Sequence, residues 1–256
     1  MEAEEDKIVE HAKEAIHSLT DKKKSWKEKI GSFLWEILII IIAVNLTIWF
    51  HSWSDKRHER QLEKEFLIST RKSLVQDTTN IRNYIKSTTN LSLVYLDSVL
   101  SQINRNKKID AQYVDSHIGL LVNDFGMNFN YGIYQSFSSA GNLRLIENQK
   151  LLSDIISLYS NDLPNIKSNL KYFIEQGFDV FQKYIGLKTG IDNSRSTKLS
   201  TIIYQPEVIY YFQMRAAYLG EIINEGEKLI NQIAAVIQEI DQELKEKFNY
   251  DTSKRE

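Results

Sequence analysis

The chain has 256 residues, 42% of them hydrophobic and 26% charged, with a formal net charge of −2. That balance fits a folded chain of one or two domains and carries no electrostatic footprint for nucleic acid. The absence of cysteine excludes disulfides and thiolate chemistry, and two prolines with ten glycines favour long uninterrupted helices over many short strands.

Residues 1–29 form an N-terminal tail that begins acidic ("MEAEEDKIVE") and ends basic ("DKKKSWKEK"). Ile8, Val9, Ala12, Ile16 and Leu19 make an apolar stripe at helical spacing. The expectation is a short amphipathic helix lying on a membrane surface, its lysines near anionic headgroups, or a docking helix for a cytoplasmic partner.

Residues 30–53 are the expected transmembrane helix. Ile30–Phe50 is 21 residues, and at ~1.5 Å per residue this covers a ~30 Å hydrocarbon core. All four tryptophans, Trp26, Trp35, Trp49 and Trp53, lie in or beside this stretch. Indole rings prefer the water–lipid boundary, so the two pairs are expected as two interfacial belts. A buried core helix gives no reason for every tryptophan to gather here. A cleaved signal peptide is disfavoured by the long apolar run, its late start, and an end in Trp and His. Glu36 lies near the amino-terminal end, where the helix dipole favours an anion, as an interfacial anchor or a contact with a membrane partner. Asn45, nine residues on, falls on the opposite helix face and is expected to bond to a neighbouring helix. Lys22, Lys23, Lys24, Lys27 and Lys29 precede the span, while Lys56, Arg57, Arg60 and Lys64 follow it. This small bias points to a cytoplasmic N-terminus and an extracytoplasmic C-terminal part.

Residues 54–256 are expected to be a helical-bundle soluble domain. Residues 54–105 continue as one long helix, with a seam of Leu93, Leu96, Leu100 and Ile103, before a turn at "NRNKKID". A shorter helix is expected over Asp110–Asn123, and another over Tyr131–Ser139, capped by Gly141 in a left-handed conformation. The next seam, Leu152, Ile156, Tyr159, Leu163, Ile166, Leu170 and Phe173, keeps its phase across Pro164, which predicts a kink or short break. Residues 186–205 have no clean period and are expected as a loop. After Pro206 a last helix runs to about Phe248 with a seam of Ile230, Ile233, Ile237, Ile240 and Leu244. The fold class is therefore all-α: one transmembrane helix continuing into an antiparallel bundle of three or four long helices.

No phosphate-cradling loop, dinucleotide fingerprint, zinc-protease motif or nucleophile elbow occurs. His11, His17, His51, His58 and His117 are scattered and read as surface residues, while Tyr204, Tyr210, Tyr211 and Phe212 read as core aromatics or as the lining of a pocket. "SSAGNLRLI" presents Ser139, Gly141 and Asn142 as a candidate exposed turn, either a plain helix cap or a partner-binding tip.

"WEILIIIIAVNLTIWFHSWSDKRHERQLEKEFL" together with "YQSFSSAGNLRLIENQKLLSDIISLY" resembles an uncharacterised bacterial family of small single-pass inner-membrane proteins of unknown function. The shared features are Glu36 at the opening of an aliphatic membrane helix, Trp53 near its exit, a charged helix, and a Ser-x-Gly-Asn-Leu turn at Ser139, Gly141, Asn142 and Leu143. Trp35 stands where that family has Gly, and "WFHSW" where it has a polar exit of Gln and Asn. The resemblance implies a bacterial inner-membrane protein with its N-terminus inside, and no particular reaction. The expected function is a non-enzymatic, membrane-anchored module acting by protein–protein interaction or self-association. Its partners are the lipid bilayer and a second copy or another membrane protein, with no cofactor, no metal and no nucleic acid. A receptor-like sensor and an oligomeric membrane-permeabilising effector are the alternatives.

Overall fold

The computed structural model describes residues 13, 26–121, 127–190 and 197–252. The protein is all-α, and the described residues contain no strand. It divides into two units, residues 1–62 and residues 63–256.

In the first unit the described chain is the opening of helix α1 (Trp26–Ser87). No glycine or proline occurs between Gly31 and Gly119, so nothing in the sequence interrupts the backbone ladder here. The helix already includes Trp26, inside the expected tail, and the stripe Ile8–Leu19 lies outside the described residues. At the end of the apolar stretch Phe50 and Trp53 pack with ring centroids 5.8 Å apart, and Arg57 lies over the Trp53 ring.

In the second unit α1 buries two interleaved rows of residues seven apart. One row is Leu67, Leu74 and Ile81; the other is Glu63, Thr70, Asp77 and Tyr84. A seven-residue repeat keeps both rows on the side facing a partner helix. That partner is the last helix, Pro206–Phe248, whose buried positions Leu219, Ile222, Gly226, Leu229, Ile233, Val236 and Ile240 alternate spacings of three and four. The two helices meet at Lys247 with Glu63 (2.8 Å), at Asp241 with Arg71 (2.6 Å), and at Gly226, beside Ile81 and Ile85.

Helix α1 passes through a π-helical turn (Thr88–Leu93) into α2 (Val94–Asn104). A turn follows, with Asn106 at φ 50°, and Asp110 caps α3 (Ala111–Ser116) by accepting from the Tyr113 amide. The helix expected over Asp110–Asn123 is thus shorter, giving way to a 3-10 turn at Ile118–Leu121, while residues 122–126 lie outside the described residues. Helix α4 (Gly132–Ser139) ends at Gly141, whose φ of 72° is the left-handed conformation that glycine takes without strain.

The seam around Pro164 differs from the expected one. Helix α5 (Gln149–Ser157) buries Leu151 and Ile155, while Leu152 is only half-buried and Ile156 is exposed. The cause is a π-helical turn at Leu158–Asp162, in which the Leu163 amide bonds to the Leu158 carbonyl, five residues back. That turn takes in one extra residue, so a phase counted back from Leu163 falls one position off on the far side. Pro164 then sits in the first turn of α6 (Leu163–Phe181), where its missing N–H is not needed.

Residues 186–205 are not simply a loop. A π turn (Gln182–Gly186) leads into a single helical turn, α7 (Leu187–Thr189). After residues 191–196, which lie outside the described residues, α8 (Leu199–Ile202) buries Leu199 and Ile202, and Ile203 just after it is buried as well. Asp115 fixes this helix by accepting from the Ser200 amide and hydroxyl, both at 2.8 Å. Two side-chain clusters form the core. The larger joins α1, α5, α6 and the last helix, α9; the smaller gathers Tyr95, Leu96, Val114, Phe181, Leu199, Tyr211 and Phe212 with their neighbours. Tyr211 and Phe212 are core as expected, whereas Tyr204, in the turn before the last helix, and Tyr210, on that helix's outer side, face solvent.

Two glycines of α9 differ in their surroundings. A Cβ at Gly226 would stand 3.0 Å from Ile85 Cδ1, whereas one at Gly220 meets nothing within 4 Å. Gly220→Ala is therefore expected to stabilise the protein by up to about 1 kcal/mol through helix propensity. Gly226→Val is expected to cost about 1–3 kcal/mol by overpacking. Thermal melts of the two variants check this; a Gly226→Val melting point at or above wild type would contradict the packing.

Candidate functional site

The apolar stretch of α1 presents its large side chains outward. Leu34, Trp35, Leu38, Ile39, Ile41, Ile42, Val44, Leu46, Ile48, Trp49, Phe50 and Trp53 are all exposed, with Trp35 at 64% and Trp49 at 65%. This is the one helix, among the described residues, long and apolar enough to cross a membrane. Trp26 opens the helix, and its side chain lies outside the described residues. Glu36 is half-buried, and its Oε2 makes no hydrogen bond. Asn45 turns its amide back on its own helix, donating from Nδ2 to the Ile41 carbonyl at 2.7 Å, as Thr47 does to Ala43. One Asn45 N–H is thus satisfied within its own helix, and its second N–H and its carbonyl oxygen are what remain to offer a second chain.

At the candidate turn, Ser139 and Gly141 are exposed and Asn142 is half-buried. Just beyond it Asn148 caps α5 by accepting from the Leu151 amide and donates to Glu243 on α9. Glu147 and Glu63 both bind Lys247 at 2.8 Å. Burial raises the Glu63 carboxyl above its ordinary range against the pull of Lys247. Burial pulls Lys247 down, yet Glu147 and Glu63 together hold its ammonium above its usual value. Neither Glu63 nor Asp77 is signalled by charge alone, since Glu63 sits in the run "SDKRHERQLEKEF" that reads as a solvated face. The signal was phase: the two lie fourteen residues, or two heptads, apart in the row beside Leu67 and Leu74.

Asp77 is the chemically unusual group. It is 1% exposed, on the core face of α1. The Asn130 amide donates to its Oδ1 at a long 3.4 Å, and Oδ2 has no hydrogen-bond partner. Burial pushes its pKa from 3.8 up to about 6, the Asn130 amide only partly opposing. Facing it are the phenols of Tyr131 and Tyr159, both raised by burial and by the Asp77 charge. Tyr159 lies in the π turn, stacked on Tyr134 at 4.8 Å and edge-on to Tyr131 at 6.3 Å. Ser73, one turn before Asp77, lies close enough to Tyr159 to pull its pKa back slightly, without a hydrogen bond of good geometry. A carboxyl with a pKa near 6 can hold or release a proton in the physiological range.

His51 and His58 are exposed, and His51 lies 3.6 Å from Asp55. His117 is half-buried rather than fully on the surface: its ring is tilted against Tyr113 at 4.5 Å and stacked on Tyr95 at 5.9 Å, and its Nδ1 donates to the Tyr113 carbonyl. His11 and His17 lie outside the described residues. Among the described residues no cluster of His, Asp or Glu could hold a metal ion. Compared with known proteins, the chain matches no family model, no curated protein and no solved structure.

The sign of the Asp77 effect follows from linkage. Its folded pKa of about 6 lies above its ordinary 3.8, so its contribution is full below pH 3.8 and is lost as pH rises through 6. Asp77→Asn keeps the shape and cannot ionise. It is expected to melt close to wild type at pH 4 and above it at pH 7.5, by up to about 3 kcal/mol from roughly two pKa units at 1.36 kcal/mol each. Tyrosine near-UV circular dichroism melts measure this, and an equal gap at both pH values would refute it.

Proposed function

We propose that the chain is a non-enzymatic, membrane-anchored helical module that acts by protein–protein interaction or self-association. Residues 30–53 cross a bacterial inner membrane once, the N-terminus is cytoplasmic, and residues 54–256 form an extracytoplasmic antiparallel bundle. The observation that carries this is the exposed apolar face of α1 from Leu34 to Trp53, which water would solvate at a cost of about 25 cal/mol per Å². The descending pairs Glu63–Lys247, Arg71–Asp241 and Ile81–Gly226 support the antiparallel layout. The resemblance to single-pass inner-membrane proteins points the same way. A receptor-like sensor is the second reading, favoured by the ionisable Asp77 sealed in the core.

Every tryptophan lies in residues 26–53, so the tryptophan emission of the full chain reports on this segment. With vesicles of anionic lipid the emission is expected to shift to the blue. Lipids brominated near the headgroup should quench it more strongly than lipids brominated at the chain ends. Emission that ignores vesicles would remove the membrane reading. Self-association has its own check, sedimentation in mild detergent. Asn45→Leu is expected to weaken it about threefold to thirtyfold, the equivalent of about 0.6–2 kcal/mol for an interhelical polar contact. A wild type that sediments as a monomer at all concentrations would leave interaction with a different chain as the mode of action.

A further inference from the structure

The geometry points to Asp77 as a proton-operated latch. When protonated it holds the Met127–Tyr131 segment, and the Tyr159 turn beside it, against α1; when ionised it loosens them. This inference stands independently of the membrane reading.

Asp77 is sealed on three sides by groups that give it no hydrogen bond. Along α1 its core-facing neighbours are Leu74 and Ile81. On α9, the register set by Glu63–Lys247 and Arg71–Asp241 puts the aliphatic Leu229, Ile233 and Val236 at its level. On the third side stand the rings of Tyr131 and Tyr159. The fourth side is the segment Met127–Tyr131, which has no helical ladder of its own and gives Asp77 its single, long amide hydrogen bond. Met127 is buried and Phe129 packs on the same core, so apolar contact holds most of this segment in place.

Among the described residues, no cation is positioned to neutralise the ionised carboxyl. On α1, Lys72 and Arg82 are exposed and Arg71 is engaged by Asp241. On α9, Lys228 is exposed and Glu239 is bound by Lys150. Beyond the tyrosines, Lys167 lies over the Tyr131 ring at 5.9 Å, and Asp162 accepts from Ser157. A protonated carboxyl can donate its own O–H to a phenol or to the Ser73 oxygen; a carboxylate needs donors turned towards it, and as Tyr131, Tyr159 and Ser73 stand, none of their hydroxyls bonds to it, so it draws water to complete its solvation. Moving α1 or α9 would break a packed helix face. Lifting the non-helical segment admits water with the fewest lost contacts.

Hydrogen–deuterium exchange on the full chain in mild detergent, at pH 5.0 and 7.5 and corrected for intrinsic exchange, tests the latch. In wild type, protection of peptides covering residues 127–139 and 155–163 is expected to fall about tenfold from pH 5.0 to 7.5, the share of the linkage spanned by that interval. Peptides from residues 229–244 should change far less. Asp77→Asn should remove the fall, whereas Tyr159→Phe, which leaves the carboxyl in place, should keep it. The latch is overturned if wild type shows no local fall, if the fall is uniform across the bundle, or if Asp77→Asn falls as wild type does. Should Asp77→Asn not fold, the wild-type pattern decides between a local and a uniform response.

Discussion

The face of α1 from Glu63 to Tyr84 sets the terms for the larger unit. Its two rows of residues seven apart are matched by the three-and-four spacing of α9, and the match fixes which residues meet. Leu67, Leu74 and Ile81 supply apolar burial, on the order of 1.5–3 kcal/mol for each side chain sealed from water. The second row is polar at three of its four positions, and it supplies discrimination more than cohesion. Glu63 must find Lys247, and Asp77 must find the 127–131 segment, so a slip of one heptad would strand a charge in the core.

How much of this was legible in the sequence depended on whether a single period carried the signal. The all-α class, the run of α1 without a breaker, the Gly141 cap and the final helix from Pro206 all follow from local chemistry that acts over a few residues. The seam at Leu152 and Ile156 failed because a π turn is invisible to a count based on 3.6 residues per turn. The segment 186–205 failed for a different reason. Leu199, Ile202 and Ile203 are too few to show a period, and the cap that organises them, Asp115, is remote in sequence. Polar core positions were the hardest to see. Asp77 reads as a surface residue unless the heptad is traced through it, and its Tyr131 and Tyr159 neighbours come from segments that only the tertiary fold brings near.

The two stretches of α1 answer to different surroundings although no residue marks a break between them. From Leu34 to Trp53 large apolar side chains are exposed around the helix, interrupted by Glu36, Asn45 and Thr47. From Glu63 onward the apolar residues gather into rows and leave Lys72, Gln76, Asn80 and Arg82 to water. Asn45, Thr47 and Thr78 each return a hydrogen bond to the backbone one turn before, a way for a polar side chain to be carried by a helix without outside help.

The π turns at Thr88–Leu93, Leu158–Asp162 and Gln182–Gly186 divide the chain into separately phased blocks. Each stores one surplus residue inside the coil of the backbone, where most proteins would need a bulging connection. The chain could therefore gain or lose a single residue at these places by rewinding one turn. Such a length change would be taken up inside the turn itself, and the helix on either side would keep the face it presents. They are the points at which this architecture could be edited in small steps without building a new loop.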